Sequence, residues 1–340
     1  MTLATPSHRL DLFHCCYPLA TFLLLFSLPA YSQTSQQPPP SPGDSDTSVI
    51  SVTTELVALP VRVTDSHGNF VTGLKQPDFQ VYQDGQQQKI TLFQQEDTPV
   101  TVGLVVDHSR SMGSKLPEVA SAVSAFAHSS NPQDEMFVVD FNDDVSPEML
   151  GGKPFTSDPN VLSNAVAAVS ARGRTALYDA VAEGMTHLEL GHWDKKALVI
   201  VSDGGDNASH LKFSQLLDMA QRSRVAIYSV VLVGSNEEEN PGILRRLCKS
   251  TGGIAYFPGR GETVAGIMAL IARDLREQYT LGFVPQKQGN AASFHKLQVK
   301  VSAPGRGKLH VRSRPGYYSA PGHSFPEKRK APAQTGVGAT

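Results

Sequence analysis

The sequence has 340 residues, 40 % of them hydrophobic, and its 30 basic and 32 acidic side chains leave a formal net charge of −2. That length accommodates one large domain and a smaller one with a substantial core. The near-neutral balance argues against nucleic acid as a partner, since neutralising phosphates calls for a basic surface, and against any partner held by charge alone.

His8 and Arg9 precede the apolar run 19–28 (LATFLLLFSL), which is followed by Pro29 and the small-residue pattern Ala30-Tyr31-Ser32. This layout predicts a signal peptide over residues 1–32, cut after Ser32. The competing reading is an uncleaved amino-terminal anchor, but about ten apolar residues fall short of the roughly 30 Å of a bilayer core. The expected mature protein is secreted or periplasmic and keeps no stable membrane span. Cys15 and Cys16 would leave with the leader, so Cys248 remains without a disulfide partner and reads as a small core residue.

Residues 33–48 are a Pro/Ser/Gln-rich linker with nothing to bury. Residues 49–98 alternate as short strands, with runs at 49–57, 59–63, 79–82 and 90–93 and turns at Asp65-Ser66-His67-Gly68-Asn69 and Asp84-Gly85. About fifty residues are too few to close a sandwich unaided. From residue 99 to 277 the rhythm changes. Apolar strands at 102–106, 136–139, 197–201, 225–233 and 254–257 alternate with helical periodicity at 116–127, 160–169, 176–190, 213–223, 241–249 and 262–277. This predicts an α/β domain, doubly wound, with a mainly parallel sheet flanked by helices and a binding site at the carboxyl ends of the strands. Residues 278–319 return to strands at 279–284, 297–301 and 309–312. They are expected to complete the first β segment, so that the α/β domain is inserted in a small β-sandwich built from both chain ends. Residues 320–340, rich in Pro, Gly, Lys and Arg, read as a disordered tail.

Two predicted strands end in carboxylates at the same edge. One continues as Asp107-His108-Ser109-Arg110-Ser111, the other as Asp203-Gly204-Gly205-Asp206-Asn207. Positions one, three and five of a tight loop can converge, and here they offer a carboxylate and two hydroxyls, hard donors suited to magnesium, calcium or manganese. Between the two lies Gly173-Arg174-Thr175, a glycine turn into a helix with Thr175 at its lip. Each segment alone is also what a helix N-cap looks like; their order and common edge make the set specific.

Together these segments resemble the von Willebrand factor A family and its metal-ion-dependent adhesion site, over roughly residues 100–277. The D-x-S-x-S of that site stands at Asp107, Ser109 and Ser111, its Thr at Thr175, and its Asp-Gly at Asp203-Gly204. Arg110 stands between the serines where relatives often carry Gly, a spacer position. The flanks resemble secreted bacterial proteins with a von Willebrand A-related domain, a group well represented in acidobacteria. Val71-Thr72-Gly73-Leu74, Asp78-Phe79, Asp84-Gly85 and the closing Tyr279-Thr280-Leu281-Gly282-Phe283 carry that likeness. The resemblance implies one divalent cation, magnesium before manganese or calcium, held by Asp107, Ser109, Ser111, Thr175 and Asp203. It implies further that an acidic residue of a protein partner completes the cation's shell.

The expected function is therefore an exported, metal-dependent protein-binding module and not an enzyme. A structural or envelope-assembly scaffold without metal-dependent binding is the alternative. A hydrolase is a second alternative, with no G-x-S-x-G, H-E-x-x-H or C-x-x-C to support it. His108 and Arg110 read as solvent-facing, His187 and His192 as solvated positions on different helix faces, and Asp140, Asp143 and Asp144 as a solvated acidic loop.

Overall fold

The computed structural model describes residues 56–95, 97–147, 152–234, 239–285 and 293–319. The expected leader, linker and tail, and the strand onset at 49–55, lie outside the described residues. In the first strand, β1 (Val57–Thr64), the valines and Leu59 alternate with more exposed neighbours, the period-two pattern of a sheet with one buried face. It is followed by β2 (Phe79–Gln83), β3 (Gln86–Gln88) and β4 (Ile90–Gln94). Asp84 and Gly85 both take positive φ, 50° and 83°, which is the backbone a two-residue hairpin turn between twisted strands requires.

The α/β part runs β5 (Thr101–Asp107), α1 (Leu116–Ser129), β6 (Glu135–Phe141), β7 (Val145–Pro147), α2 (Pro159–Ala168) and α3 (Leu177–His187), then β8 (Lys196–Ser202), α4 (Phe213–Arg222) and β9 (Ala226–Val231). It ends with α5 (Pro241–Thr251), β10 (Ala255–Tyr256) and α6 (Val264–Arg276). The chain closes with β11 (Tyr279–Phe283), β12 (Phe294–Val301), β13 (His310–Arg312) and β14 (Gly316–Tyr318).

Strand order in the central sheet is β10-β9-β8-β5-β6-β7, parallel throughout except for β7, which pairs antiparallel with β6. Buried on both faces, β5 shows the continuous apolar run of such a strand. Val102, Leu104 and Val106 pack with α1, α2 and α6, while Val105 packs with α3, α4 and α5 on the other side. Each fully buried Val or Leu contributes about 1.5–3 kcal/mol, and the two layers together hold the strand ends rigid.

The remaining strands form two antiparallel sheets, β13-β1-β11-β4 and β14-β12-β2-β3. They share one core that includes Leu59, Val61, Val81, Leu281 and Phe283. Tyr279 locks a loop onto this core: its hydroxyl donates to Val71 O at 2.9 Å and accepts from Leu74 N at 3.0 Å, which secures the Val-Thr-Gly-Leu segment. The fold is thus a doubly wound α/β domain set in the chain between the halves of a small antiparallel β structure.

Some details depart from the periodicity. The helix expected at 176–190 is α3 to His187, tightening into a 3₁₀ turn over Leu188–Leu190. Strands β3, β7 and β14 have three residues each, too few to display a period. His187 is not solvated: it is buried and its ring lies 4.3 Å from that of Phe137, because the α3 face carrying it packs on the sheet. His192 lies beyond the helix, exposed, with Nδ1 2.6 Å from Glu135 Oε1.

Candidate metal centre at the strand ends

Asp107 is the last residue of β5 and has no solvent exposure. Its Oδ1 accepts from Ser109 N at 2.8 Å, an Asx turn that bends the chain sharply out of the sheet. Its Oδ2 accepts from Ser202 Oγ at 2.6 Å, across to the end of β8. The turn continues as a single 3₁₀ turn over Arg110–Met112, which brings the hydroxyls of Ser109 and Ser111 to 3.1 Å of each other. Ser111 Oγ donates to Asp203 Oδ2 at 2.7 Å. Four of the five residues read from the sequence, Asp107, Ser109, Ser111 and Asp203, are therefore linked through hydrogen bonds at one strand edge.

Thr175 joins them by its backbone. Its N–H donates to Asn207 Oδ1 at 2.9 Å, and its carbonyl accepts from Asn207 N and Ala208 N at 3.0 and 3.1 Å, tying it to the loop after Asp203. On its other side, Arg110 N donates to Gly173 O at 3.4 Å and Arg172 N to His108 O at 2.9 Å. The Thr175 side chain is nearly buried, yet its hydroxyl makes no hydrogen bond among the described residues.

Two glycines allow this packing. Gly204 has φ +86°, and a Cβ there would sit 2.8 Å from Asn240 O. Gly173 has φ +71°, and a Cβ would overlap the Asp143 carboxylate. Both positions combine a left-handed backbone with close approach, conditions that only glycine meets without strain.

Burial pushes the Asp107 carboxyl up to about 6; hydrogen bonds from Ser109 and Ser202 oppose this, and the nearby Asp203 charge adds to it. The donor chemistry suits a hard cation: two carboxylates close enough to repel, two hydroxyls beside them, and a third hydroxyl without a partner.

Residues 102–205 match the sequence model of the family described as von Willebrand factor type A domain. The chain carries a von Willebrand factor A domain. Its matched segment spans β5 to the turn after β8 and so contains Asp107, Ser109, Ser111, Thr175 and Asp203. Solved structures with a similar fold include an aerotolerance-related membrane protein from Bacteroides fragilis, at 15 % identity over 52 % of this chain and 98 % of that one, with a TM-score of 0.43. A von Willebrand factor type A protein from Catenulispora acidiphila shares 12 % identity over 73 % of this chain and 75 % of its own, with a TM-score of 0.47. The von Willebrand domain of a type V pili tip protein from Porphyromonas gingivalis shares 12 % over 52 % and 95 %, with a TM-score of 0.42. No curated protein matches the sequence.

Around this strand edge the structure corrects two readings. His108 does not face solvent; successive strand residues point oppositely, so as Asp107 reaches the site His108 turns into the core with no exposure. Its Nε2 is 3.0 Å from Val166 O and its Nδ1 is 3.0 Å from Asp140 Oδ1. Burial works against a charged imidazole there, but the Asp140 carboxylate outweighs it and raises the His108 pKa. Asp140 is accordingly buried within β6 instead of belonging to a solvated loop, whereas Asp143 is on the surface and pairs with Arg174 at 2.9 Å. Two contributors went unread in the sequence, Ser202 and Asn207. Ser202 carries the weak signal of a hydroxyl residue directly before Asp203; Asn207 carries none beyond its place in the same loop.

Proposed function

We propose that this protein is an exported, non-enzymatic binding module in which one divalent cation joins the von Willebrand A domain to an acidic residue of a protein partner. Asp107, Ser109, Ser111, Thr175 and Asp203 would hold the cation, magnesium first and manganese or calcium next. When bound, the cation supplies a Lewis-acidic position that a partner carboxylate can fill.

The observation that carries the reading is the meeting of Asp107 and Asp203, from separate strand ends, in one hydroxyl-lined edge where Ser111 Oγ already touches the second carboxylate at 2.7 Å. This chain's own residues orient the donors. The Asx turn aims Ser109, the Ser202 hydroxyl holds Asp107, and the Asn207 clasp holds Thr175 with its hydroxyl unengaged. Three of the five donors are neutral, which limits the negative charge around a cation and leaves it attractive to another carboxylate. Among the described residues no helix is long and apolar enough to cross a membrane, and the apolar leader at 19–28 supports export.

The deciding experiment is calorimetric titration of magnesium, manganese and calcium into metal-free protein, beside Asp107→Ala and Asp203→Ala. Saturable one-site binding lost in both variants is expected. Binding that survives both substitutions, or no binding even with an acidic peptide present, overturns the reading.

A further inference from the structure

Strand β1 turns Leu59, Val61 and Val63 into the β core, so Ala58, Pro60, Arg62 and Thr64 lie on its other face. The register places Arg62 directly opposite Arg312 and Thr64 opposite His310 on β13. Two guanidinium-bearing residues directly across an antiparallel pair repel, and sheets ordinarily avoid the arrangement. This face is covered by the edge of the α/β domain: Arg62 donates to Tyr256 Oη at 3.0 Å and pairs with Asp274 at 3.1 Å. Between them lies a cleft of about 400 Å³ lined by Arg62, Thr64, Ile254, Tyr256, His310 and Arg312 among others. It adjoins a recess of about 30 Å³ that shares Arg62 and Arg312 and adds Arg314 and Arg224.

Among the described residues the positive groups lining this cleft outnumber the carboxylates, and the Asp274 charge is shared between Arg62 and Arg312. Asp274 is engaged by Arg62. Arg312 makes one hydrogen bond, to Gly253 O at 3.3 Å, and no ion pair among the described residues. Arg314 is bonded to the carbonyls of Gly316, Ser223 and Gln221 and, among the described residues, to no carboxylate. Burial, reinforced by the Arg224 charge, pushes its guanidinium down to about 10. Among the described residues no carboxylate lines either cavity. Arg62 and Arg314 are partly buried while Arg312 stands exposed at the rim, so the local potential is positive and favours an anion seated between them.

We propose that the cleft where Arg62 and Arg312 face each other across β1 and β13 binds a small organic anion bearing a carboxylate or a phosphate. The guanidinium of Arg312 offers planar paired donors that match either group. Thr64 and His310 add polar contacts, while Ile254, Val311 and the Tyr256 ring give the rest of the ligand an apolar wall. A volume of about 400 Å³ lies within the range of small-molecule sites, about 300–1,000 Å³. This site is separate from the strand-end metal centre and stands whether or not a cation binds there.

The test titrates inorganic phosphate and citrate, separately, into protein stripped of metal on a chelating resin, at low ionic strength, by calorimetry. Saturable binding of at least one anion is expected, with phosphate or citrate preference identifying the group recognised. Arg312→Gln should weaken it at least tenfold while the melting temperature in anion-free buffer stays level or rises, because the repulsion with Arg62 is relieved. If neither anion saturates, or Arg312→Gln binds as the wild type does, the proposal fails. Should Arg312→Gln not fold, Thr64→Val combined with His310→Ala carries the same decision.

Discussion

Ser111 Oγ donates to Asp203 Oδ2 at 2.7 Å. The reverse exchange runs beside it, with Ser202 Oγ donating to Asp107 Oδ2 at 2.6 Å. Each strand end thus lends a hydroxyl to the carboxylate of the other. A movement of either loop breaks a charge-assisted hydrogen bond, so the two carboxylates are positioned as a unit.

In the proposed cation site Ser202 would then orient Asp107 without itself being one of the five donors. Removing such a partner typically lowers metal affinity by roughly 10- to 100-fold. Ser202→Ala is expected to bind magnesium or manganese that much more weakly in calorimetric titration and to keep the native circular dichroism spectrum. An affinity equal to that of the wild type would contradict the assignment of Asp107 as a ligand.

Gly204 should be intolerant for a reason independent of metal. Its φ of +86° and the 2.8 Å approach to Asn240 O mean that Gly204→Ala forces both backbone strain and a clash beside Asp203. A loss of about 1–3 kcal/mol in urea denaturation of the metal-free protein is expected. A smaller change would mean that the loop relaxes freely, and the rigid placement of Asp203 would have to be abandoned.

The convergence of Asp107 and Asp203 was legible because buried parallel strands are continuous apolar runs, and an Asp that ends such a run lies at the sheet edge. The doubly wound order followed from the alternation of those runs with helical periodicity. Asp140 was misread for the same reason: it too follows an apolar run, but β6 continues to Phe141 and the period-two alternation turns its carboxylate inward to His108. Contacts such as Asn207 with Thr175, or Arg62 with Asp274, join residues far apart in the chain. No local pattern announces them.

Asp134 gives a pH dependence with a definite sign. It is buried at the turn before β6, accepts from Val100 N at 2.8 Å and Asn131 N at 3.1 Å, and burial raises its carboxyl from 3.8 to about 6. Those hydrogen bonds and Lys195 oppose the shift, and Asp97 adds to it. Between these values the folded state holds more protons than the unfolded one, so this group's contribution to stability declines as pH rises from about 4 to about 6. The full shift corresponds to at most about 3 kcal/mol. Surface carboxylates with lowered values, such as Asp143 and Asp179, act in the opposite direction. The informative quantity is therefore the difference between wild type and Asp134→Asn. That difference should move in favour of the variant as pH rises through the window, measured by urea denaturation at steps from pH 4 to 7 without metal; a pH-independent difference would show Asp134 to be ordinary.

Arg62 and Asp274 join β1 to α6 through a pair at 3.1 Å whose side chains are 12 % and 1 % exposed. Water reaches neither charge well, so removing one partner strands the other. Asp274→Ala should cost about 3–5 kcal/mol, far more than an exposed pair's 0–1 kcal/mol. Replacing both, as Arg62→Met with Asp274→Leu, should recover much of that loss, because the double change removes the stranded charge along with the attraction. A double-mutant cycle by urea denaturation reads this directly. If the single and double variants lose the same stability, no stranded charge accounts for the loss in Asp274→Ala, and burial does not set the strength of this pair.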